Sequence, residues 1–460
     1  MEAVFIKAIV SALLVLAVLV SAVPMFVSAD NSNASESAYS LLLSGLLSYS
    51  EEIDISELGL TAGEMHSVLD SIYKNEPMLY YWGGRYSYSY FSEDEPLEVF
   101  PHYNMSAEER AEADEYINSV LDAVIATVPE EISDYEKALY LHDYVCVNYE
   151  YDKSYKTVDI YNMIKNGAGI CTGYTLLYDE LLTRVGIESR AVVSPATELN
   201  HMWNQVYIGG YWYHVDTTWD DPLPNRFGEV RHLNFLLDDI AIAVSHAGVY
   251  YAEHECLDPT FDLMPWRLYN SQFAFVNGNI YAVEFNEIVS FDLYYSFCNS
   301  VCTVASEGWY SSDGFYLGYC IGLGAQGTWI YSNDQTRIIA YNPITKATKT
   351  VFGIENAESQ IIGSYVLGNM LYYLETPTGY AEQGEIKCIE LAPIVELGGD
   401  ANGDGTLDQY DYIYVKRAYF GTLSLGAAEI KRADVNKDNA LNQYDYILVK
   451  RAYFGTYVFE

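Results

Sequence analysis

The chain has 460 residues, enough for two to four domains that each bury a core. Half of the residues are hydrophobic and 19% are charged, an ordinary globular composition that excludes a disordered chain. The balance of 64 Asp and Glu against 24 Lys and Arg gives a formal net charge of −40, which repels nucleic-acid phosphates and anionic lipid, so neither is expected as a partner.

At the N-terminus Lys7 precedes an apolar run from Ala8 to Val20, then Pro24 and the small-residue site Val27-Ser28-Ala29. This is the pattern of a secretory signal peptide over residues 1–29, cut before Asp30. The run to Val27 is nearly long enough to anchor in a bilayer, but Pro24 and the small residues favour cleavage. No later segment could span, so no membrane contact is expected once the signal is removed. The cysteines are 146, 171, 256, 298, 302, 320 and 388, an odd count that leaves at least one thiol free or shared between molecules. No disulfide is assigned, and no CxxC or Cys/His zinc spacing occurs.

From residue 30 to about 135 the pattern is mostly helical. Ser106-Ala107-Glu108-Glu109 is a capping box that opens a helix through about Ala126, and Ser133-Asp134-Tyr135-Glu136 opens another to Val147. The Tyr-rich stretch from Tyr80 to Tyr90 alternates and reads as strands. Between Tyr149 and Thr218 the expected order is loop, helix, strand pair.

Cys171 stands in Gly167-Ala168-Gly169-Ile170-Cys171-Thr172-Gly173-Tyr174, ahead of leucines 176, 177, 181 and 182 at helical spacing. A thiol in the first turn of a helix meets the positive end of the helix dipole, which favours the nucleophilic thiolate. The free amides there can also support an oxyanion. Next, Gly209-Gly210 reads as a two-residue hairpin turn that pairs Ile208 with Tyr211. Counting back, Trp203 faces Asp216, and His201 and Asp216 emerge on one sheet face as diagonal neighbours. A carboxylate there can hold the imidazole in the tautomer that accepts the thiol proton. His214 shares that face and is a rival base.

Residues from about Asn75 to Asp221 resemble the transglutaminase-like superfamily, the papain-related cysteine fold. The resemblance lies in Glu136-Lys137-Ala138-Leu139-Tyr140-Leu141-His142-Asp143-Tyr144, Tyr149-Glu150-Tyr151-Asp152, Gly169-Ile170-Cys171-Thr172-Gly173-Tyr174, Leu182-Thr183-Arg184-Val185-Gly186-Ile187, His201-Met202-Trp203-Asn204 and Tyr213-His214-Val215-Asp216-Thr217-Thr218-Trp219. It implies Cys171 as nucleophile, His201 as base and Asp216 as third member, and it demotes His214. It implies acyl transfer through a thioester on a protein or peptide amide, released to water or to an amine, with no cofactor for this domain.

Residues 263–395 change to short apolar and aromatic runs broken by Gly, Asn and Asp. The weak repeat Asn277-Gly278-Asn279-Ile280-Tyr281, Asp313-Gly314-Phe315-Tyr316 and Gly368-Asn369-Met370-Leu371-Tyr372 has too few units to close a propeller, so a partial propeller or a sandwich is expected. Trp266, Trp309 and Trp329 read as core aromatics ahead of a sugar-stacking platform.

Two loops end the chain, the second beginning 34 residues after the first. Loop one offers Asp400, Asn402, Asp404, Thr406, Asp408 and Asp411, and loop two offers Asp434, Asn436, Asp438, Ala440, Asn442 and Asp445. These are EF-hand calcium positions, with a backbone carbonyl expected from Thr406 and Ala440. Gly405 allows the sharp turn, and Asn439 is its substitute. Four carboxylates in loop one against three in loop two predict tighter calcium in loop one. After the loops, Gln409–Thr422 and Gln443–Thr456 differ only at Tyr414 and Leu448. A shared core would not require identity at exposed positions, so Gln409, Tyr410, Lys416, Arg417 and Gln443, Tyr444, Lys450, Arg451 read as two equivalent docking faces. Residues 399–460 hold seven of the 24 basic residues against nine acidic ones, which points to an acidic partner.

This segment resembles type I dockerin modules. The resemblance implies two Ca²⁺ ions, binding to a cohesin of a scaffoldin by either face, and a secreted, extracellular place on a cell-surface or released cellulosome. The expected fold class is multidomain α+β: signal peptide 1–29, transglutaminase-like domain 30–262 with a helical N-terminal part, β-rich region 263–396, and an all-α dockerin 397–460. Two further readings compete with an amide-directed enzyme: an inactive binding component, and a polysaccharide-degrading accessory protein. No carboxylate pair stands in a convincing glycosidase setting.

Overall fold

The computed structural model describes residues 29–92, 95–130, 132–195, 197–295, 297–304, 309–311, 314–316, 320–356, 358–378, 384–391, 399–403, 406–425 and 427–459. The expected signal peptide as far as Ser28, and Asp313, Asp404 and Gly405, lie outside them. The chain divides into two units, residues 1–70 with 86–101, and residues 71–85 with 102–460.

The first unit holds helix α1 (Ala29–Leu47), strand β1 (Ile53–Asp54), the first part of helix α2 (Ala62–Asn75), and strands β2 (Tyr86–Ser92) and β3 (Glu95–Pro101). The strands form an antiparallel sheet in the order β1-β3-β2. Tyr86 and Tyr88 lie on one face against the His66 ring. Only part of the Tyr-rich stretch is therefore strand. In the second unit Pro77–Leu79 is a 3-10 turn, and Gly83 and Gly84 at positive φ turn the chain while Tyr80, Tyr81 and Trp82 are buried.

Both capping boxes form. Ser106 Oγ accepts the Glu109 N–H and starts helix α3 (Ala107–Ile125); Ser133 does the same for Glu136 and starts helix α4 (Asp134–Asn148). A parallel bridge of β4 (Glu150–Tyr151) and β5 (Ala168–Gly169) brackets the short helix α5 (Ile160–Asn166), an element the sequence reading took as loop. Helix α6 (Cys171–Arg184) follows, then β6 (Glu188–Ser194), β7 (His201–Ile208) and β8 (Tyr211–Val215). The expected strand pair is thus a three-stranded antiparallel sheet with β7 in the middle. Leu176 on α6 packs on Ala191 and Met202 of that sheet, beside Cys171. Helix α7 (Thr217–Asp220) and helix α8 (Asp239–Ile242) complete this part.

The β-rich region runs as antiparallel meanders. Strands β9 (Ala274–Val276), β10 (Asn279–Glu284), β11 (Glu287–Phe291) and β12 (Cys298–Thr303) make one four-stranded sheet. Strands β13 (Trp309–Ser311) and β14 (Gly314–Tyr316) pair alone. Strands β15 (Leu323–Gln326), β16 (Trp329–Asn333), β17 (Arg337–Tyr341) and β18 (Thr348–Gly353) make a second four-stranded sheet, and β19 (Ser359–Leu367), β20 (Met370–Pro377) and β21 (Glu385–Glu390) a third of three strands. One apolar layer joins the first sheet to the second through Val283, Ile288, Leu323 and Ile339, and another joins the second to the third through Ile338, Ile361 and Leu371. Turns at Asn277-Gly278 and Gly368-Asn369 fall where the weak repeat predicts them. Trp266 is 1% exposed with its Nε1–H on the Leu293 carbonyl, a core aromatic.

At the C-terminus α9 (Gln409–Tyr419), α10 (Ala427–Ala433) and α11 (Gln443–Tyr453) surround a small core of Ala401, Val415, Ala433 and Val449. Among the described residues no helix is long and apolar enough to cross a membrane.

Candidate functional site

Cys171 is the first residue of α6, with Ile170 as an extended N-cap. The flanking glycines have a steric reason. A Cβ on Gly169 or Gly173 would stand 2.7 or 2.9 Å from Met163 Sδ, so their absence lets α5 close against the start of α6. The thiol thus sits half-buried where the first helical amides lack intrahelical acceptors.

The hairpin has the expected register. Gly209 and Gly210 turn at φ 63° and 91°, and Ile208 pairs with Tyr211, Gln205 with His214 and Asn204 with Val215. Extending that register sets Trp203 opposite Asp216, where the sheet ends and Asp216 becomes the N-cap of α7. Its Oδ1 accepts the N–H groups of Thr218 at 2.9 Å and Trp219 at 3.2 Å. Its Oδ2 lies 2.7 Å from His201 Nε2. With Nε2 engaged there, Nδ1 is the His201 nitrogen left for the Cys171 thiol. The structure therefore brings Cys171, His201 and Asp216 together.

Burial pushes the Cys171 thiol up, but the hydrogen bond and charge of His201 and the Met202 backbone together hold it below its ordinary value. Burial alone would lower His201. The charge and hydrogen bond of Asp216, then Cys171, raise it to about 10. Asp216 is buried, yet His201 and His246 keep its carboxyl well below the usual range. The ring of His201 also lies near-parallel to the indoles of Trp203, at 5.9 Å, and Trp219, at 5.2 Å. Indole rings within about 6 Å favour the imidazolium. Together these features favour a thiolate–imidazolium pair at the mouth of a helix.

His214 does not join this group. It lies further along the same face, where Nδ1 accepts the Trp203 Nε1–H at 3.0 Å and Nε2 lies 2.9 Å from Asp239. The residue that sequence reasoning missed is His246, whose Nε2 lies 2.7 Å from the same Asp216 oxygen. It sits in a loop 30 residues beyond Asp216, and no motif marks it.

A second buried polar group supports the first. His142 on α4 lies 3.0 Å from Asp143 and 3.1 Å from Asp220, the last residue of α7. His232 lies 3.0 Å from the same Asp143 oxygen. Burial disfavours charge on His142, but Cys146, Asp143 and Asp220 hold it well above its ordinary value. Arg267 donates to the carbonyls of His232, Leu233, Phe235 and Leu236, so residues expected at the start of the β-rich region pack into this domain. All seven cysteines are free thiols.

In the C-terminal loops Asp400, Asn402, Asp411, Asp434 and Asp445 are buried. Asp411 accepts the N–H groups of Asn402 and Asp408, and Asp445 those of Asn436 and Asn442. Asn439 adopts φ 63°, the left-handed turn its position requires. Burial, and then the charges of Asp434 and Asp438, push the Asp445 carboxyl up. Buried carboxylates that repel one another are the donor set a calcium ion relieves, so the residues present fit that ion. Asp438 also accepts the Ala440 N–H. Gln409, Tyr410, Lys416, Arg417 and their counterparts Gln443, Tyr444, Lys450, Arg451 are all exposed. The sequence reading missed apolar neighbours on both faces: Ile413 and Ile447 are each 39% exposed, Phe420 and Phe454 each 62%.

The segment around Cys171 has the make-up of a cysteine acyl-transfer site, and the C-terminal segment that of a paired calcium-loop module. Residues 123–217 match the family model of the transglutaminase-like superfamily, and residues 398–452 match that of the type I dockerin domain. Type I dockerin domains in general bind calcium, the ion that the residues of the two C-terminal loops fit. The chain is 24% identical over 158 residues to kyphoscoliosis peptidase of Homo sapiens and 24% identical over 160 residues to that of Mus musculus. Each match takes in 30% of this chain, which spans about a quarter (23%) of either relative. Among solved structures, a TGase is similar at 14% identity and TM-score 0.22, over 29% of this chain and 44% of its own. A protein described as a cysteine protease from Cytophaga hutchinsonii is similar at 18% identity and TM-score 0.20, over 31% and 64%.

Proposed function

We propose that Cys171, His201 and Asp216 catalyse acyl transfer on protein amides within a secreted, scaffold-bound assembly. The observation that carries this reading is a thiol held below its ordinary value at a helix N-terminus, against an imidazole oriented by a buried carboxylate. The Cys171 thiolate attacks the amide carbonyl, and the helix amides stabilise the oxyanion. The C–N bond breaks, His201 gives its proton to the leaving amine, and a thioester remains. Water or a primary amine then loses a proton to His201 and attacks, and the C–S bond breaks. Water makes the reaction proteolysis or deamidation; an amine makes it a crosslink.

The dockerin tethers this activity to a cohesin of a scaffoldin. Asp400, Asn402, Asp404, Asp408, Asp411 and the Thr406 carbonyl would hold one calcium ion, and Asp434, Asn436, Asp438, Asn442, Asp445 and the Ala440 carbonyl the other. The bound ions supply rigidity to the loops that orient α9 and α11. The signal pattern over residues 1–29 supports export.

The test is iodoacetamide labelling of Cys171, followed by incubation with candidate peptides with and without a primary amine. Labelling at neutral pH and peptide turnover lost in Cys171→Ala are expected. A thiol that reacts only in the ordinary alkaline range, with no thioester on any peptide, would instead favour a non-catalytic binding component.

A further inference from the structure

Asp216 serves two imidazoles. His201 Nε2 and His246 Nε2 each lie 2.7 Å from Oδ2, while Oδ1 is taken by the Thr218 and Trp219 amides. His246 is 0% exposed and follows α8 in a loop. Its Nδ1 lies 2.8 Å from Ser245 Oγ. A serine hydroxyl that donates to Nδ1 leaves the ring proton on Nε2, the nitrogen that faces Asp216. The ring packs against Trp219 at 4.2 Å and Trp203 at 5.0 Å, the same indoles that flank His201.

We propose that His246 is a positioning residue, which fixes Oδ2 of Asp216 so that the carboxylate aims His201 at Cys171. The proposal rests on the acyl-transfer reading of Cys171. A carboxyl torsion is broad, and two backbone amides restrain only Oδ1. Without His246, Oδ2 would be held by His201 alone. That bond weakens when His201 gives up its proton, as it does to the leaving amine in each turnover, and strengthens when water or an amine returns one. His246 keeps its own N–H on Oδ2 through both steps, so the carboxylate does not swing as the charge on His201 comes and goes.

Two other roles fit less well. As a second base, His246 would need a free nitrogen near the thiol, and both of its nitrogens are engaged. As a metal ligand it would join His201 Nε2 and Asp216 Oδ2, which lie within 4.8 Å of its Nε2, but a cation there would have to break both 2.7 Å hydrogen bonds. The titratable groups around His246 are Asp216 at the cap of α7, His201 on β7, and His214 on β8 with Asp239 behind it.

The test measures the pH dependence of Cys171 alkylation in the full, calcium-loaded chain and in His246→Ala and His246→Gln. The wild type is expected to react through a thiolate limb below the ordinary thiol value. In His246→Ala the limb moves up and the rate at neutral pH falls by about tenfold, as expected when an aligned group loses its support. His246→Gln, whose amide N–H can reach Oδ2, recovers most of the rate. With a turned-over peptide, kcat falls in His246→Ala while KM holds. A wild-type limb and rate in a folded His246→Ala overturn the proposal. The absence of any low limb in the wild type would overturn the acyl-transfer reading instead. Should His246→Ala not fold, Ser245→Ala carries the same test: an upward limb shift supports the proposal, and an unchanged limb overturns it.

Discussion

The carboxylate of Asp143 accepts the backbone N–H of Phe273 at 2.7 Å, across 130 residues of chain. Its other oxygen lies 3.0 Å from both His142 and His232. Residues just ahead of the first β-rich sheet therefore close the core of the transglutaminase-like part. Breaking a buried network by removing one member leaves uncompensated polar groups, so Asp143→Ala is expected to cost about 3–5 kcal/mol. Thermal unfolding followed by circular dichroism would register this as a large fall in Tm. A chain ended at Asp262 would melt earlier still, because it also loses Arg267.

His201 and Cys171 are mutually dependent. In His201→Ala the burial that raises the thiol remains, while the imidazole that does most to lower it is gone and only the Met202 backbone is left. Alkylation of Cys171 at pH 7 is expected to fall by about 100-fold, with the limb above the ordinary thiol value. Asp216→Asn should give a smaller loss in the same direction.

The pH dependence of stability follows from the same pair. The folded value of His201, about 10, lies above its ordinary 6.5, so its contribution is complete below 6.5 and lost as pH rises through 10. Asp216 is depressed below 3.8, so its contribution is present above that value and lost as pH falls. Urea midpoints across a pH series should decline on both sides, and Asp216→Asn should flatten the alkaline decline.

Calcium removal should act on one end of the chain. Chelation leaves Asp434, Asp438 and Asp445 repelling one another, and loss of helical signal from α9 and α11 is expected while Cys171 alkylation is unchanged. Calorimetry should resolve two binding steps, with loop one the tighter, and Asp411→Ala should remove the tighter step. Equal steps, or a tighter loop two, would show that carboxylate count does not rank the loops.

The two proposed docking faces match in sequence and in the exposure of Ile413 and Ile447, each 39%, and of Phe420 and Phe454, each 62%. Replacing Tyr410 and Arg417 alone should weaken cohesin binding by no more than about twofold, because the second face remains. Adding Tyr444→Ala and Arg451→Ala should weaken it by more than about 100-fold. Surface plasmon resonance on an immobilised cohesin distinguishes these outcomes; a large loss from the first pair alone would mean that the faces are unequal.

Local signals explain most of what could be read before the structure. Gly209-Gly210 fixed the register that set Trp203 opposite Asp216, and serines at 106 and 133 marked their helix starts through capping. Helix α5 escaped because seven residues are too few for a periodic pattern. His246 and the group around Asp143 escaped for a different reason. Their partners lie 30, 89 and 130 residues away, and pairings that the fold alone creates leave no periodicity behind. The Tyr80–Gly84 turns broke an alternating pattern because Gly83 and Gly84 take positive φ, which a strand cannot accommodate.

The indoles of Trp203 and Trp219 that flank His201 give the protein a built-in optical reporter. An imidazolium quenches the emission of an adjacent indole more strongly than a neutral imidazole does. Proton movement on His201 should therefore appear as a change in ultraviolet fluorescence, with no label and no substrate present, and the Trp219→Phe difference spectrum would isolate it from the other tryptophans.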